Sequence, residues 1–215
     1  MWPGQGKYFL AAGLIVLFLI MAAAWSPAAP RSSAPPPTNT APVDEQTLIG
    51  SPAAWQAYGP PSGPVLIVFF VDFTCIHCRA SWPAVQHLLR TYPTKVRFIF
   101  RDRTPTNDSF NLAMAANCAG EQGKYLDLAN RIFTNQDAIT QASVMQREAI
   151  AAGLDWSLFS ACVNSQKYLN QIKRDMTDGQ TLNLQGTPTW FINGQRVEGE
   201  LTANDMDSIV TQLTH

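Results

Sequence analysis

An uncharged and wholly apolar run, Val65-Leu66-Ile67-Val68-Phe69-Phe70-Val71, leads almost directly into Phe73-Thr74-Cys75-Ile76-His77-Cys78-Arg79. A strand that is apolar at every position is buried on both faces, so the sheet holding it carries helices on both sides. Val85, Leu88, Leu89 and Tyr92 then recur at helical spacing, which predicts an amphipathic helix after the two cysteines. Residues 96–100 supply a second strand. Strand, helix and strand in this order make a parallel pair joined by a helical crossover.

The pattern then changes. Between about residues 107 and 182 it is helical only, seen best in Tyr125, Leu128, Ala129, Ile132 and Phe133 and again in Leu169, Ile172 and Met176. Strand character returns after Gly186-Thr187-Pro188, in residues 189–192. The chain turns at Asn193-Gly194, the pair that suits a type I′ hairpin, and continues through residues 195–198. Thr202 and Asp205 predict a capping box for a last helix with Met206, Ile209, Val210 and Leu213 as its apolar stripe. Upstream, residues 51–58 read as a short helix before the breaker Gly59-Pro60-Pro61-Ser62-Gly63-Pro64. The fold class is α/β: a small mixed sheet with helices on it and an inserted all-helical segment.

Residues 8–25 carry no charge and are about long enough to span a hydrocarbon core, with Trp2, Tyr8 and Trp25 near the ends. Residues 1–25 thus read as an N-terminal membrane anchor, with a cleaved signal peptide as the alternative, given Lys7 before the run and Ala22-Ala23-Ala24 after it. Lys7 on one side and Arg31 as the nearest charge on the other orient the remainder outward. Residues 26–47 are rich in Pro, Ala, Ser and Thr and read as a linker, leaving a folded domain over residues 48–215. Export would place all four cysteines in an oxidising compartment. A net charge of −1 with mixed signs offers no electrostatic footprint for nucleic acid.

Cysteines at i and i+3 across a strand-to-helix junction can close a disulfide. Cys75 at the helix start would meet unpaired amides that favour its thiolate, with Cys78 one turn in as the resolving thiol. His77, between them, is placed to add a charge or a hydrogen bond. Haem attachment needs a histidine after the second cysteine, where this chain has Arg79. A zinc site needs a second close pair, and Cys118 and Cys162 are isolated. A purely structural staple remains an alternative, although so small a ring constrains the unfolded chain least.

Three ordered motifs carry a family resemblance. Phe73 to Arg79, the phrase Cys118-Ala119-Gly120-Glu121-Gln122-Gly123-Lys124-Tyr125, and Gly186-Thr187-Pro188-Thr189-Trp190-Phe191-Ile192-Asn193-Gly194 together resemble the DsbA-like branch of the thioredoxin superfamily. The resemblance implies a thioredoxin fold with an inserted helical domain, and thiol-disulfide exchange with unfolded proteins through Cys75 and Cys78, assisted by His77. It implies that Pro188 is a cis-proline facing the cysteines, and that Thr187, Pro188 and Ile76 contact bound polypeptide. It also implies a second, structural disulfide between Cys118 and Cys162, whose alternative is two buried thiols. Two departures stand out: Ile76 where relatives commonly have proline or tyrosine, and Phe69 where many carry an acid. Asp72 is the nearest acid, on the opposite face by alternation. Pro83 is tolerated by relatives as a helix kink. Trp82 and Trp190 are candidates for a peptide groove, Trp156 for the core; His87 and His215 read as packed or solvated.

The function expected is an anchored oxidase that introduces disulfides into exported proteins outside the cytoplasm, without cofactor or metal. It would be reoxidised by a membrane partner of the quinone-reductase kind. The alternatives are the same chemistry reversed, a reductase or isomerase fed by an electron donor, and a non-enzymatic tethered peptide-binding or chaperone module.

Overall fold

The computed structural model describes residues 42–214. Five strands form one sheet: β1 (Ala57–Tyr58), β2 (Val65–Val71), β3 (Val96–Asp102), β4 (Thr189–Ile192) and β5 (Gln195–Glu198), in the order β1-β3-β2-β4-β5. Only β2 and β3 run parallel, joined by helix α2 (Ile76–Thr91); β1, β4 and β5 are antiparallel to their neighbours.

Alternate residues of β2 enter two different cores, which explains its unbroken apolar sequence. Val65, Ile67, Phe69 and Val71 join Phe98 and Phe100 of β3 in the larger core, whereas Leu66, Val68 and Phe70 join Ile99 in the smaller. The larger core is covered by α2 and by the last helix, α8 (Ala203–Leu213), with Val85, Leu88, Met206 and Val210 fully buried. Pro83 lies inside α2, which continues through it. The predicted capping box at Thr202 and Asp205 closes the start of α8, and Asn193 and Gly194 both take positive φ (46° and 83°), as a type I′ turn requires.

The smaller core is closed by a helix the sequence pattern did not reveal. Helix α1 (Glu45–Ile49) is a single turn N-capped by Asp44, whose carboxylate accepts from the Thr47 amide at 2.9 Å. It buries Leu48 and Ile49. The folded body therefore reaches into residues 45–47, the end of the segment read as linker, because one capped turn with two apolar anchors is too short to show a period. Residues 51–58 also differ from expectation. Ala54–Gln56 is a 3₁₀ turn, and Ala57–Tyr58 pairs with Ile99 and Phe98 as the edge strand β1. Backbone pairing on β3, with the Tyr58 ring edge-on to Phe100, outweighs local helix propensity there.

Five helices separate β3 from β4: α3 (Asn107–Gly120), α4 (Tyr125–Thr134), α5 (Ala142–Ala151), α6 (Trp156–Asn164) and α7 (Leu169–Thr181). Helix α3 is buried without interruption from Leu112 to Gly120, which is why it lacks an amphipathic stripe. A disulfide between Cys118 and Cys162 ties α3 to α6. With a sequence separation of 44 residues, loop-closure entropy puts its contribution at about 4 kcal/mol. The variant lacking both cysteines is expected to unfold at lower denaturant by about that amount, with exchange at Cys75 unchanged; equal unfolding midpoints would remove the staple from the stability account.

The expected membrane segment, most of the linker and His215 lie outside the described residues. Among the described residues, no helix is long and apolar enough to cross a membrane.

Candidate active site

The turn between β2 and α2 is built from its own side chains and braced from the helical block. Asp72 Oδ1 accepts from the Thr74 amide and hydroxyl, both at 2.8 Å, and the Cys75 amide donates to the Asp72 carbonyl at 3.1 Å. The Asp72 carboxylate thus shapes the turn, while the Asp72 backbone hydrogen-bonds to Cys78. Thr74 Oγ1 also lies 3.0 Å from Ser109 Oγ at the start of α3. Gln136, in the α4–α5 connection, donates from Nε2 to the Phe73 and Cys75 carbonyls at 2.9 and 3.0 Å. The sequence held no sign of Gln136 or Ser109, since both act across a large sequence separation through hydrogen bonds that leave no local pattern.

Cys75 is the N-cap of α2 and partly exposed, whereas Cys78 is fully buried in the larger core; both are unbonded. Their environments pull the two thiols apart. The Cys75 pKa falls from 9.0 to about 5, first because the Cys78 thiol donates to its sulfur. Partial burial opposes that shift, while the Thr187 side chain and the backbone amides of Cys78 and His77 add to it. Cys78 moves the other way, pushed well above its ordinary value by burial and then by hydrogen bonding to and charge on Cys75.

From the opposite side, the Thr187-Pro188 peptide is cis and the Cys75 Sγ–H donates to the Thr187 carbonyl at 3.2 Å. The structure thus brings Cys75, Cys78, Thr187 and Pro188 together from two distant parts of the chain. Ile76 stands beside them 59 % exposed, an unusual position for a large apolar side chain. His77 contributes its amide to Cys75, and its ring, which also feels the charge on Cys75, pairs with Glu200: Nδ1 lies 2.6 Å from Glu200 Oε1. Glu200 was not singled out by the sequence, being 123 residues away and in no motif.

The tryptophans sort by burial. Trp190 is wholly buried, stacked on Phe69 with centroids 3.9 Å apart, and its indole N–H donates to the Gly199 carbonyl at 3.0 Å; it belongs to the core and not to a peptide groove. Phe69 of β2 is what it stacks on. Trp82 is also buried, donating to Asn130 Oδ1. Trp156 is half-buried and lines an apolar cavity with Leu112, Met145 and Phe159. His87 packs at 2.7 Å from Asp207 Oδ1. Among the described residues, no group of three His, Cys, Asp or Glu side chains converges as metal ligands would.

A parallel β2–β3 pair with an antiparallel hairpin, a dithiol at the start of α2 and a cis-proline opposite it define the thioredoxin fold. The chain belongs to the thioredoxin family: the Thioredoxin family model matches residues 53–212. A thioredoxin-like oxidoreductase from Silicibacter pomeroyi DSS-3 is 26 % identical, with a TM-score of 0.66 over 80 % of this chain and 98 % of that one. The thiol-disulfide exchange protein alpha-DsbA2 of Wolbachia pipientis shares the fold at 22 % identity, with a TM-score of 0.68 over 78 % of this chain and 90 % of its own. By sequence the chain is also 30 % identical over 147 residues to the Na(+)/H(+) antiporter NhaA 1 of Mycobacterium sp. strain KMS, covering 66 % of this chain. It spans 24 % of the length of that relative.

Proposed function

We propose that the chain is a protein thiol oxidase whose reactive sulfur is Cys75. The observation that carries this reading is the divergence of the two thiols: a partly exposed Cys75 with its pKa at about 5 beside a buried Cys78 that holds its proton. A substrate thiolate attacks the Cys75 sulfur of the Cys75-Cys78 disulfide, and the bond to Cys78 breaks as Cys78 takes up a proton. A second substrate thiolate then attacks the substrate sulfur of the mixed disulfide, and Cys75 departs as a stable thiolate. Two substrate thiols become one disulfide and the enzyme gains two electrons, so a membrane partner that accepts electrons, of the quinone-reductase kind, must restore the disulfide. Thr187 and Pro188 receive the polypeptide backbone and Ile76 an apolar side chain next to the attacked bond.

Linkage supports this direction. Ionisation of Cys75 stabilises only the reduced form. That extra stability is full above about pH 9, where a free cysteine is also ionised, and is lost as pH falls towards 5. At neutral pH much of it remains, which favours giving the disulfide away. Exported, reduced proteins are the substrates this implies. The Cys118–Cys162 disulfide supports a location outside the cytoplasm, where such bonds persist, with the N-terminal segment as the membrane attachment.

Two measurements test the reading. Iodoacetamide alkylation of Cys75 should be half-maximal near pH 5 instead of near 9. The equilibrium with glutathione should give a potential well above the thioredoxin value of about −270 mV. A potential at the thioredoxin value would replace the oxidase with a reductase.

A further inference from the structure

Glu200 lies between β5 and α8, and the backbone on both sides of it is fixed to the site. The Gly199 amide donates to the Pro188 carbonyl at 3.0 Å, and the Gly199 carbonyl accepts from the Trp190 indole, also at 3.0 Å. On the other side, the Leu201 amide donates to Ser81 Oγ of α2 at 3.2 Å. Glu200 is therefore suspended between the cis-proline loop and the helix that starts at Cys75. Its Oε1 reaches His77 Nδ1 at 2.6 Å. That imidazole, the one between the two cysteines, responds to two charges, the Glu200 carboxylate and the Cys75 thiolate, and both favour its protonated form. The nearby charges are otherwise engaged: Arg79 turns to Asp137 at 3.4 Å, and Asp72 is taken up by Thr74.

We propose that Glu200 is a positioning residue for thiol-disulfide exchange: it holds a His77 imidazolium beside Cys75 and thereby biases the equilibrium towards the reduced enzyme. The inference rests on Cys75 being the reactive sulfur. Its physical basis is that the cation faces a thiolate only in the reduced form. In the disulfide, the same imidazolium has no anion on the cysteine side, so whatever keeps it charged and in place stabilises one side of the reaction. Both partners are half-exposed, at 59 % and 48 %, which makes the effect modest.

The test is a double-mutant cycle on the full chain. Enzyme disulfide plus two glutathione thiols gives enzyme dithiol plus glutathione disulfide, and this equilibrium is measured at pH 7 for the parent, Glu200→Gln, His77→Ala and the double variant. Glu200→Gln is expected to shift it about two- to five-fold towards the enzyme disulfide, the range of an exposed ion pair. In the His77→Ala background the same change should do nothing. The His77 ring proton resonances in Glu200→Gln should titrate at lower pH than in the parent. An equal shift with and without His77, or no change in either equilibrium or titration, overturns the role of Glu200. Retention of exchange activity by Cys75→Ser would instead sink the functional reading, leaving the His77–Glu200 titration coupling to be read independently.

Discussion

Cys75→Ser is expected to lose thiol-disulfide exchange down to the uncatalysed background, whereas Cys78→Ser loses turnover but keeps a reactive Cys75. The asymmetry follows from position. Cys75 presents its sulfur at the N-cap, beside the Thr187 carbonyl and partly open to solvent; Cys78 is sealed in the core and protonated. A serine at 75 is far too weak a nucleophile and leaving group to enter the mixed disulfide. A serine at 78 keeps a donor for the Cys75 sulfur, so the thiolate survives, and the variant should accumulate mixed disulfides at Cys75 that mass spectrometry detects. Cys78→Ala removes the interaction that lowers the Cys75 pKa most, and should move the alkylation midpoint upwards from about 5. Activity retained by Cys75→Ser in a thiol-oxidation assay would transfer the chemistry to another residue.

The second large effect belongs to Arg101. This arginine is fully buried on the face of the sheet opposite the thiols, yet each of its three nitrogens has a partner. Nε donates to Asp175 Oδ1 at 2.7 Å, Nη1 to the Leu48 carbonyl at 2.8 Å, and Nη2 to Asp178; the guanidinium also lies 5.3 Å from the Phe70 ring centroid. Gly50 closes over it. A Cβ there would fall 2.6 Å from Nη1, and the positive φ of 58° suits glycine in any case. Arg101 thus fastens α1 and α7 to β3. Arg101→Ala would leave Asp175 buried without its cation, with the Asp102 amide and Gln171 Nε2 as its remaining donors. The expected cost is about 3–5 kcal/mol, a large part of a domain's whole stability. Burial already pushes the Asp175 pKa up while Arg101 holds it down, so the deficit should shrink at acid pH, where the carboxyl takes a proton, and grow as pH rises. Denaturant unfolding of the variant at two pH values checks both; a loss below about 1 kcal/mol would show that the pair is replaceable.

Neither Arg101 nor its partners could be read from the sequence. An arginine in Val96-Arg97-Phe98-Ile99-Phe100-Arg101-Asp102 looks like the solvated end of a strand, and only α1 and α7 arriving from far along the chain turn that end into an interior. The site divides in the same way. The two cysteines, their helix and the Thr187-Pro188 turn were legible because each is a local motif with a chemical reason for its spacing. Gln136, Ser109 and Glu200 were not, because each contributes one hydrogen bond from a loop or helix end whose own sequence has no need of it. Trp190 is instructive in another sense. Its place beside Pro188 left groove and core equally open, and the register that sets it opposite Phe69 decides for the core.

By itself the sequence determined which segments alternate or recur, and hence a doubly covered sheet with a dithiol at a helix start, because periodicity and helix-end chemistry act over a few residues. Only the tertiary structure decided how acidic Cys75 becomes, where the His77 ring turns and what holds the far face of the sheet together. Those properties depend on which groups stand within hydrogen-bond reach after the chain has folded, and burial and direction at that range are not written in any local pattern.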